Sequence, residues 1–202
     1  MYAKESINKY LNDLAARKPA PGGGSAAALS AAVGVSLMSM VCNFTIGNPK
    51  YKAVEDEAKE ILKKCEAARQ DLEKLIDEDV EAYGKLSKAM KESSKDGKML
   101  DDSYKDALKS PFEICKIAAD CLKLCGRLAE IGNANLVTDT AIAAILLEGA
   151  FFSAKYNVYI NLKYIKDMGW VGCIHEAVAP LEESIPKLKE DIIEKCEEII
   201  QK

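Results

Sequence analysis

The sequence predicts an all-α protein, an up-down helical bundle that forms a single domain over residues 1–202. Apolar residues recur at intervals of three and four through most of the chain, which is typical of helices with one buried side. No stretch of useful length alternates as a half-buried strand does, and turns rich in Gly and Pro separate long segments. With 202 residues, of which 49% are hydrophobic, the chain is long enough to bury one core.

The first three helices are predicted from these stripes and breaks. A helix over residues 3–16 carries its leucines and its isoleucine on one side. A second, over residues 25–46, is rich in Ala, Gly and Ser, whose small side chains allow another helix to approach closely, and Gly47-Asn48-Pro49 ends it. A third, over residues 52–92, keeps helical periodicity for many turns.

The second half of the chain also reads as helices. After a polar break over residues 93–102, Ser110-Pro111-Phe112-Glu113 fits a capping box with Pro at the first helical position, so a helix is predicted from there to residue 131. A fifth helix is predicted over residues 137–168. The last segment, from residue 171, is predicted to be interrupted by its two prolines before an amphipathic helix reaches the C-terminus.

Charge and composition narrow the range of partners. A net charge of −4 without a basic run argues against a nucleic-acid partner. The charged N-terminus does not resemble a secretory leader, and the most apolar segment, residues 26–46, is interpreted as a buried helix rather than a membrane span. Seven cysteines without metal spacing, beside a single histidine, predict buried thiols, no metal site and a reducing, cytoplasmic location.

The turn before the second helix is the most informative motif, because two prolines lead into three consecutive glycines. Glycine costs roughly 0.5–1 kcal/mol relative to Ala in regular structure, so three in a row indicate a backbone that bends sharply or lies close against another group. Ser25 is a candidate helix cap, and backbone N–H groups at a positive helix end suit an anion or an electron-rich ligand. The alternative is a tight interhelical turn. The candidate ligand-binding residues are Pro21, Gly22, Gly23, Gly24 and Ser25.

Asp79 is a carboxylate on the apolar stripe of the third helix, in line with Leu72 and Tyr83. Its neighbours Asp77 and Glu78 are predicted to take flanking or outward positions. A carboxylate on a core-facing stripe must be paired, hydrogen-bonded, protonated or directed into a cavity, because burial without a partner costs several kcal/mol. Asp79 is therefore either a helix–helix contact or a functional group.

A second group of polar residues follows Gly132, which suits a helix C-terminus. Asn133 and Asn135 suit a turn, and Asp139 falls in the first turn of the next helix, where a carboxylate favours the helix dipole. The face that starts at Asp139 continues through apolar and small residues to Asn157 and Asn161, whose amides need partners if they are buried.

Four segments in order along the chain carry a family resemblance: Pro19-Ala20-Pro21-Gly22-Gly23-Gly24-Ser25-Ala26-Ala27-Ala28, Asp79 within Leu75-Ile76-Asp77-Glu78-Asp79-Val80-Glu81-Ala82-Tyr83, Gly132-Asn133-Ala134-Asn135 with Asp139, and Asn157-Val158-Tyr159-Ile160-Asn161-Leu162. The chain resembles the cyclodeaminase/cyclohydrolase family over nearly its whole length. This family includes the cyclodeaminase domain of formiminotransferase-cyclodeaminase and stand-alone bacterial methenyltetrahydrofolate cyclohydrolases. Ala20 stands where Thr is common, which is a conservative departure.

The resemblance implies an all-helical homodimer that binds tetrahydrofolate derivatives near the subunit interface. The glycine turn, Asp79, Asn133, Asn135 and Asp139 would line the site, with Asn157 and Asn161 as further candidates for contact with the pterin. Asp79 is the first candidate for the catalytic carboxylate and Asp139 the second, and no tightly bound cofactor is expected.

Three functions stay open at this point. The expected one is hydrolysis of 5,10-methenyltetrahydrofolate to 10-formyltetrahydrofolate, which needs a carboxylate to stabilise the cation and take a proton from water. The alternative is formimidoyltetrahydrofolate cyclodeaminase, in which ammonia leaves. The second alternative is a non-catalytic folate-binding or assembly module.

Overall fold

The computed structural model describes residues 1–92 and 97–202, which are built from helices joined by short turns. Three short 3-10 helices, at Tyr2–Lys4, Pro49–Val54 and Ala134–Leu136, precede the first, third and fifth α-helices. The α-helices are α1 (Ile7–Ala15), α2 (Gly23–Thr45), α3 (Glu55–Glu92), α4 (Gly97–Ile131), α5 (Val137–Leu162) and α6 (Met168–Ile200). The described residues contain no strand, so the prediction of an all-α fold is confirmed.

Helices α2 to α5 form the central bundle. Helix α2 packs against α3 and α5, α4 packs against the same two helices, and α6 lies outside against α4 and α5. The Ser25 N–H donates a hydrogen bond to Asp79, and the Ser39 hydroxyl donates to Glu66. Because residue numbers rise along α2 as they fall along α3, the two helices are antiparallel, as an up-down bundle requires.

The interior of the bundle is mainly apolar. Burying each large side chain stabilises the fold by roughly 1.5–3 kcal/mol. Six of the seven cysteines are buried as expected, whereas Cys173 on α6 is exposed, contrary to the expectation. The largest fully buried side chains include Phe151, Met38, Leu72, Leu108, Ile114 and Leu122.

Two predicted helix boundaries were wrong because tertiary packing overrides the proline signals. Helix α4 already begins at Gly97 and runs through Pro111, since the core side of its first turns, at Tyr104 and Leu108, is buried. Of the polar break predicted there, residues 93–96 lie outside the described residues. Helix α6 likewise continues through Pro180 and Pro186, which stand among residues whose apolar neighbours pack on α4 and α5.

Asp77 also departs from its predicted surface position on α3, because only 7% of its surface is exposed. Its carboxylate accepts hydrogen bonds from the backbone N–H groups of Tyr2 and, at 3.2 Å, of Ala3. The first helical turn of the chain thus covers a position that the periodicity of α3 had assigned to solvent. Periodicity within one helix does not reveal which distant segment covers it.

Candidate functional site

The Asp79 carboxylate lies against the first turn of α2. This helix begins at Gly23 with Gly22 as its N-cap residue, and the Ser25 N–H donates to Asp79 Oδ2 at 2.9 Å. A carboxylate from α3 therefore occupies the place of a capping side chain, where the helix dipole favours negative charge. The predicted capping role of Ser25 was wrong: Ser25 lies inside the first turn, and its buried hydroxyl accepts a hydrogen bond from Tyr10 at 3.2 Å.

This contact explains two of the three glycines. A Cβ on Gly24 would lie 2.7 Å from Asp79 Oδ2 and still nearer to the rest of the carboxylate, so only glycine fits there. A Cβ on Gly23 would lie 3.3 Å from Asn157 Nδ2, which is a tight contact. A Cβ on Gly22 would meet nothing within 4 Å. The glycine turn is thus a close approach of α2 to α3 and α5.

A cleft of about 240 Å³ opens beside this contact, at the end of the bundle where α2 begins and α5 ends. Two other predicted site residues, Pro21 and Ser25, are buried and do not line the cleft. The predicted site residues that line the cleft are Gly22, Gly23, Gly24, Asp79, Asn157 and Asn161.

The two asparagines are held by their own helix. Asn157 Nδ2 donates to the Ser153 carbonyl oxygen at 3.0 Å, and Asn161 Nδ2 donates to the Asn157 carbonyl oxygen at 2.9 Å. Each amide group therefore uses one N–H on the backbone of α5 and keeps its oxygen as an acceptor and its second N–H as a donor. The two amide oxygens and the Asp79 carboxylate are acceptors that suit a ligand that is cationic or rich in N–H groups.

Burial raises the pKa of Asp79 above the ordinary value of an aspartic acid, while the hydrogen bond from the Ser25 N–H acts in the opposite direction. Burial has the larger effect, because an ionised carboxylate loses more hydration there than one hydrogen bond restores. A raised pKa brings the group closer to the range in which a carboxylate both accepts and returns a proton.

The structure does not bring Asn133, Asn135 and Asp139 to this cleft within one chain. Asp139 lies in the first turn of α5 and Asn157 near its last turns, so about 27 Å of helix separates them at 1.5 Å per residue. Within one chain these residues therefore do not lie together, because a shared helix face places residues in line, not side by side.

Asn133 is the N-cap residue of the short 3-10 helix Ala134–Leu136, and its hydrogen bonds hold this turn together. Its backbone N–H donates to the Thr45 hydroxyl at 2.9 Å, and its side-chain amide donates to the Phe44 carbonyl oxygen at 3.0 Å. Its side-chain oxygen accepts from the Asn135 N–H at 3.1 Å. Asn133 is buried and ties the turn to the end of α2, whereas Asn135 is exposed and Asp139 is half-buried.

Sequence reasoning did not single out three other residues of the cleft, namely Tyr83, Ala107 and Ile160. Tyr83 follows Asp79 by one helical turn and presents the aromatic ring of the cleft lining. The spacing from Asp79 could have indicated Tyr83, and the position between Asn157 and Asn161 could have indicated Ile160, whereas Ala107 carries no sequence signal of a site.

Known proteins resemble this chain in sequence and in fold. Residues 6–180 match the family model described as formiminotransferase-cyclodeaminase. The methenyltetrahydrofolate cyclohydrolase of Methylorubrum extorquens is 37% identical over 174 residues, which are 83% of this chain and 84% of that protein. The formimidoyltransferase-cyclodeaminase of Mus musculus is 29% identical over 183 residues, which are 87% of this chain but 34% of that longer protein.

The fold has a solved counterpart. The crystal structure of formiminotetrahydrofolate cyclodeaminase from Thermotoga maritima superposes with a TM-score of 0.93 at 33% identity, covering 99% of this chain and 100% of that one. Sequence and fold agree over almost the whole length, and the expected resemblance is confirmed. The chain belongs to the formiminotransferase-cyclodeaminase family.

Proposed function

We propose that the protein is a methenyltetrahydrofolate cyclohydrolase, an enzyme that converts 5,10-methenyltetrahydrofolate and water into 10-formyltetrahydrofolate. The observation that carries the proposal is the half-buried Asp79 carboxylate at the wall of a cleft lined by acceptor groups. The 37% identical relative that bears this name aligns over 84% of its own length, which supports the same activity here.

The substrate is a cation whose methenyl carbon bridges two nitrogens. Asp79 stabilises this cation and takes a proton from water as the water oxygen bonds to the methenyl carbon. The bond from that carbon to N5 then breaks, its electron pair stays on N5, and Asp79 returns the proton to N5. The remaining hydroxyl proton goes to solvent as the formyl C=O forms, so the reaction releases one proton.

The other residues of the cleft would position the substrate. The amide oxygens of Asn157 and Asn161 accept hydrogen bonds from the N–H edge of the pterin, and the Tyr83 ring packs against its apolar surface. The Ser25 N–H is not available for a ligand carboxylate because it already donates to Asp79. The backbone of the glycine turn would therefore contact the ligand by van der Waals packing and not through the Ser25 N–H.

A second candidate function is formimidoyltetrahydrofolate cyclodeaminase. Its support is the Thermotoga maritima fold, with a TM-score of 0.93, and the match to the family model. In that reaction the neighbouring nitrogen bonds to the formimino carbon, and its proton passes to the imino nitrogen. One further proton on that nitrogen lets its bond to carbon break, so that ammonia leaves with the electron pair and the methenyl cation forms. The raised pKa of Asp79 suits a carboxyl group that supplies this proton.

The proposal extends to cofactors and to cellular location. The reaction as written uses only water and a carboxylate that carries a proton, so we propose no tightly bound cofactor or metal. Its net charge of −4 suits a small folate substrate held by local contacts better than a nucleic acid. Its largely buried thiols suit the reducing cytoplasm, where we place it as a homodimer without a membrane partner.

The test is a pair of assays on the purified protein. Loss of methenyltetrahydrofolate absorbance, corrected for spontaneous hydrolysis, measures the first activity, and ammonia release from 5-formimidoyltetrahydrofolate measures the second. Fast hydrolysis without ammonia supports the cyclohydrolase, and ammonia release with methenyltetrahydrofolate as product supports the cyclodeaminase. If neither hydrolysis nor ammonia release is detected, the proposal is contradicted.

The role of Asp79 is tested with Asp79→Asn, which keeps an acceptor for the Ser25 N–H but cannot carry a proton. Turnover is expected to fall by about 10²–10⁴-fold, the usual contribution of a general acid–base group. Glu78→Gln is the matched control, because Glu78 is the exposed neighbour on the same helix. Full activity in Asp79→Asn would remove Asp79 from the mechanism.

A further inference from the structure

Helix α1 is anchored beside the start of α2 by one side chain. Of the residues Ile7–Ala15, all of which the structure describes, Tyr10 alone is buried. Only 4% of its surface is exposed, and its hydroxyl donates a hydrogen bond to the Ser25 hydroxyl at 3.2 Å. Its ring packs edge-to-face with Tyr2, with 5.5 Å between the ring centroids. Tyr10 therefore reaches from α1 to the first turn of α2.

Ser25 connects this contact to the Asp79 carboxylate. Its hydroxyl accepts the hydrogen bond from Tyr10, while its backbone N–H donates to Asp79 Oδ2 at 2.9 Å. Ser25 is completely buried, so both groups depend on partners within the protein. Gly23 and Gly24 have no side chain, which makes Ser25 the first residue of α2 that a side-chain contact can hold. Fixing the hydroxyl of Ser25 thus also fixes the direction of its N–H.

The segment before the glycine turn is tied to α1 as well, but by a weaker contact. Lys18 forms an ion pair with Asp13, which also accepts a hydrogen bond from the Tyr2 hydroxyl at 3.0 Å. The Lys18 side chain is 51% exposed, and ion pairs in contact with solvent contribute little to stability. The buried contact between Tyr10 and Ser25 is therefore the stronger restraint on the turn.

The surroundings of Tyr10 keep its hydroxyl protonated, so that it remains a donor. Burial raises the pKa of Tyr10 above the ordinary value of a tyrosine, the hydrogen bond with Ser25 acts in the opposite direction, and the negative charge of Asp79 raises the pKa further. Tyr10 is not among the residues that line the cleft. It can therefore act on the chemistry of the cleft only through Ser25 and Asp79.

We infer that Tyr10 is a positioning residue for the proposed reaction, which through the Ser25 hydroxyl holds the Ser25 N–H on Asp79 and so fixes the carboxylate in the cleft. This inference rests on the proposed function for its kinetic readout, whereas its spectroscopic readout needs no turnover. The Ser25 N–H stabilises the ionised form of Asp79. Loosening that hydrogen bond should therefore raise the pKa of Asp79 further and leave the carboxylate less well placed.

The kinetic test removes either side of the contact. Tyr10→Phe keeps the ring but loses the hydroxyl, and Ser25→Ala loses the acceptor but keeps the backbone N–H. Each variant is expected to lower kcat about tenfold for the folate that the wild type turns over. A misplacement of about 1 Å can cost about 10²-fold in rate, and the buried Ala27 and Ala28 limit the movement of α2.

Two further kinetic results separate positioning from other roles. KM is expected to change by less than about twofold, because neither Tyr10 nor Ser25 lines the cleft in which the substrate binds. The double variant Tyr10→Phe/Ser25→Ala is expected to be no slower than either single variant, because both substitutions remove the same hydrogen bond.

The spectroscopic test follows the Asp79 carboxyl group by heteronuclear NMR as the pH is varied. Its signal is assigned as the one that disappears in Asp79→Asn. In Tyr10→Phe and in Ser25→Ala this signal is expected to titrate at higher pH than in the wild type, because the Ser25 N–H no longer holds the ionised carboxylate as firmly. A side chain that only stabilises the fold would leave the titration unchanged.

The groups around Asp79 allow this titration to be read without ambiguity. Among the described residues near it, α1 contributes Tyr10 and its own helix contributes Tyr83, and tyrosines titrate at about pH 10. Helix α5 contributes the neutral amides of Asn157 and Asn161, and α2 and α4 contribute glycines and an alanine to the cleft. A transition in the acidic range therefore belongs to Asp79.

Tyr159→Phe is the matched control. The Tyr159 hydroxyl donates to Glu182 between α5 and α6, and Tyr159 does not line the cleft. This variant loses a tyrosine hydrogen bond of the same kind, yet it is expected to keep both kcat and the titration of Asp79. Circular dichroism checks that each variant is folded, and Ser25→Ala tests the same hydrogen bond if Tyr10→Phe does not fold.

Three results would overturn the inference. They are an unchanged kcat in a folded Tyr10→Phe protein, an Asp79 signal that titrates in this variant as it does in the wild type, and a double variant in which the two single losses multiply. If the wild type turns over neither folate while the Asp79 titration still moves in Tyr10→Phe, the proposed function fails and the hold of Tyr10 on Asp79 stands.

Discussion

Gly24 and Asp79 meet where the backbone of α2 touches a side chain of α3. The Ser25 N–H reaches Asp79 Oδ2 at 2.9 Å, and this approach leaves no room for a side chain on Gly24. The glycine turn and the carboxylate, which stand more than fifty residues apart in the sequence, are therefore one structural unit. A side chain added at Gly24 would therefore displace the Asp79 carboxylate.

Gly24→Ala is expected to impair both stability and turnover. The new Cβ overlaps the Asp79 carboxylate, so either α2 shifts or Asp79 leaves its position, at a cost of about 1–3 kcal/mol in the free energy of unfolding. Urea denaturation and the hydrolysis assay measure the two effects. Gly22→Ala is the matched control, because a Cβ there meets nothing within 4 Å, and it is expected to change stability little. Equal behaviour of the two variants would refute the packing argument.

The fold was predictable from the sequence because most helices carry an apolar stripe, while α2 is a long run of small and apolar residues between two turn signals. The position of Asp79 on such a stripe and the crowding at the glycine turn were equally visible, and in the structure these two features meet. The long course of α4 and α6 through their prolines was not visible, because it depends on burial against neighbouring helices. The same holds for Asp77, which the distant N-terminus covers.

The grouping of the polar residues was the harder question. Asp139 and Asn157 share a face of α5, and periodicity shows this correctly, but a shared face extends along the whole helix. Which end of α5 meets the start of α2 depends on the direction in which the helices pack. That direction appears only in contacts such as the one between Gly23 and Asn157.

The stability of the protein should depend on Asp79 in a pH-dependent manner. Since burial raises its pKa in the folded state, protonated Asp79 contributes stability that is fully present below the unfolded pKa of about 3.9 and is lost as pH rises through the folded pKa. Asp79→Asn is neutral at every pH, so at pH 7 it is expected to unfold at higher urea concentration than the wild type. The difference should shrink toward pH 4.

Urea midpoints between pH 4 and pH 8 measure this effect, with Glu78→Gln as the exposed control. If Asp79→Asn gains stability while it loses turnover, the Asp79 carboxylate lowers the free energy of unfolding but is required for activity. An Asp79→Asn protein that is less stable than the wild type at pH 7 would mean that the carboxylate is mainly a structural cap for α2.

Asn133 and Asn135 are expected to separate structure from function. Asn133→Ala removes the side-chain contacts to the Phe44 carbonyl oxygen and to the Asn135 N–H, so it should lower the free energy of unfolding by about 1–3 kcal/mol. Asn135→Ala alters an exposed side chain and is expected to leave stability within about 0.5 kcal/mol. It is expected to reduce turnover because the family resemblance implies that Asn135 contacts the substrate. Thermal unfolding and the hydrolysis assay, run on both variants, test the pair; loss of stability in Asn135→Ala would contradict this division.

Asp77 is expected to hold the N-terminus on the bundle. Its carboxylate accepts the backbone N–H groups of Tyr2 and Ala3, so Asp77→Ala leaves two donors without their partner and releases the first helical turn. Hydrogen bonds to a charged group contribute about 1.5–3 kcal/mol each, and a loss of that order is expected in the free energy of unfolding. Limited trypsin digestion should cut after Lys4 and Lys9 faster than in the wild type. Glu81→Ala, exposed on the same helix, is the control, and unchanged digestion of Asp77→Ala would show that the N-terminus is held by its apolar contacts instead.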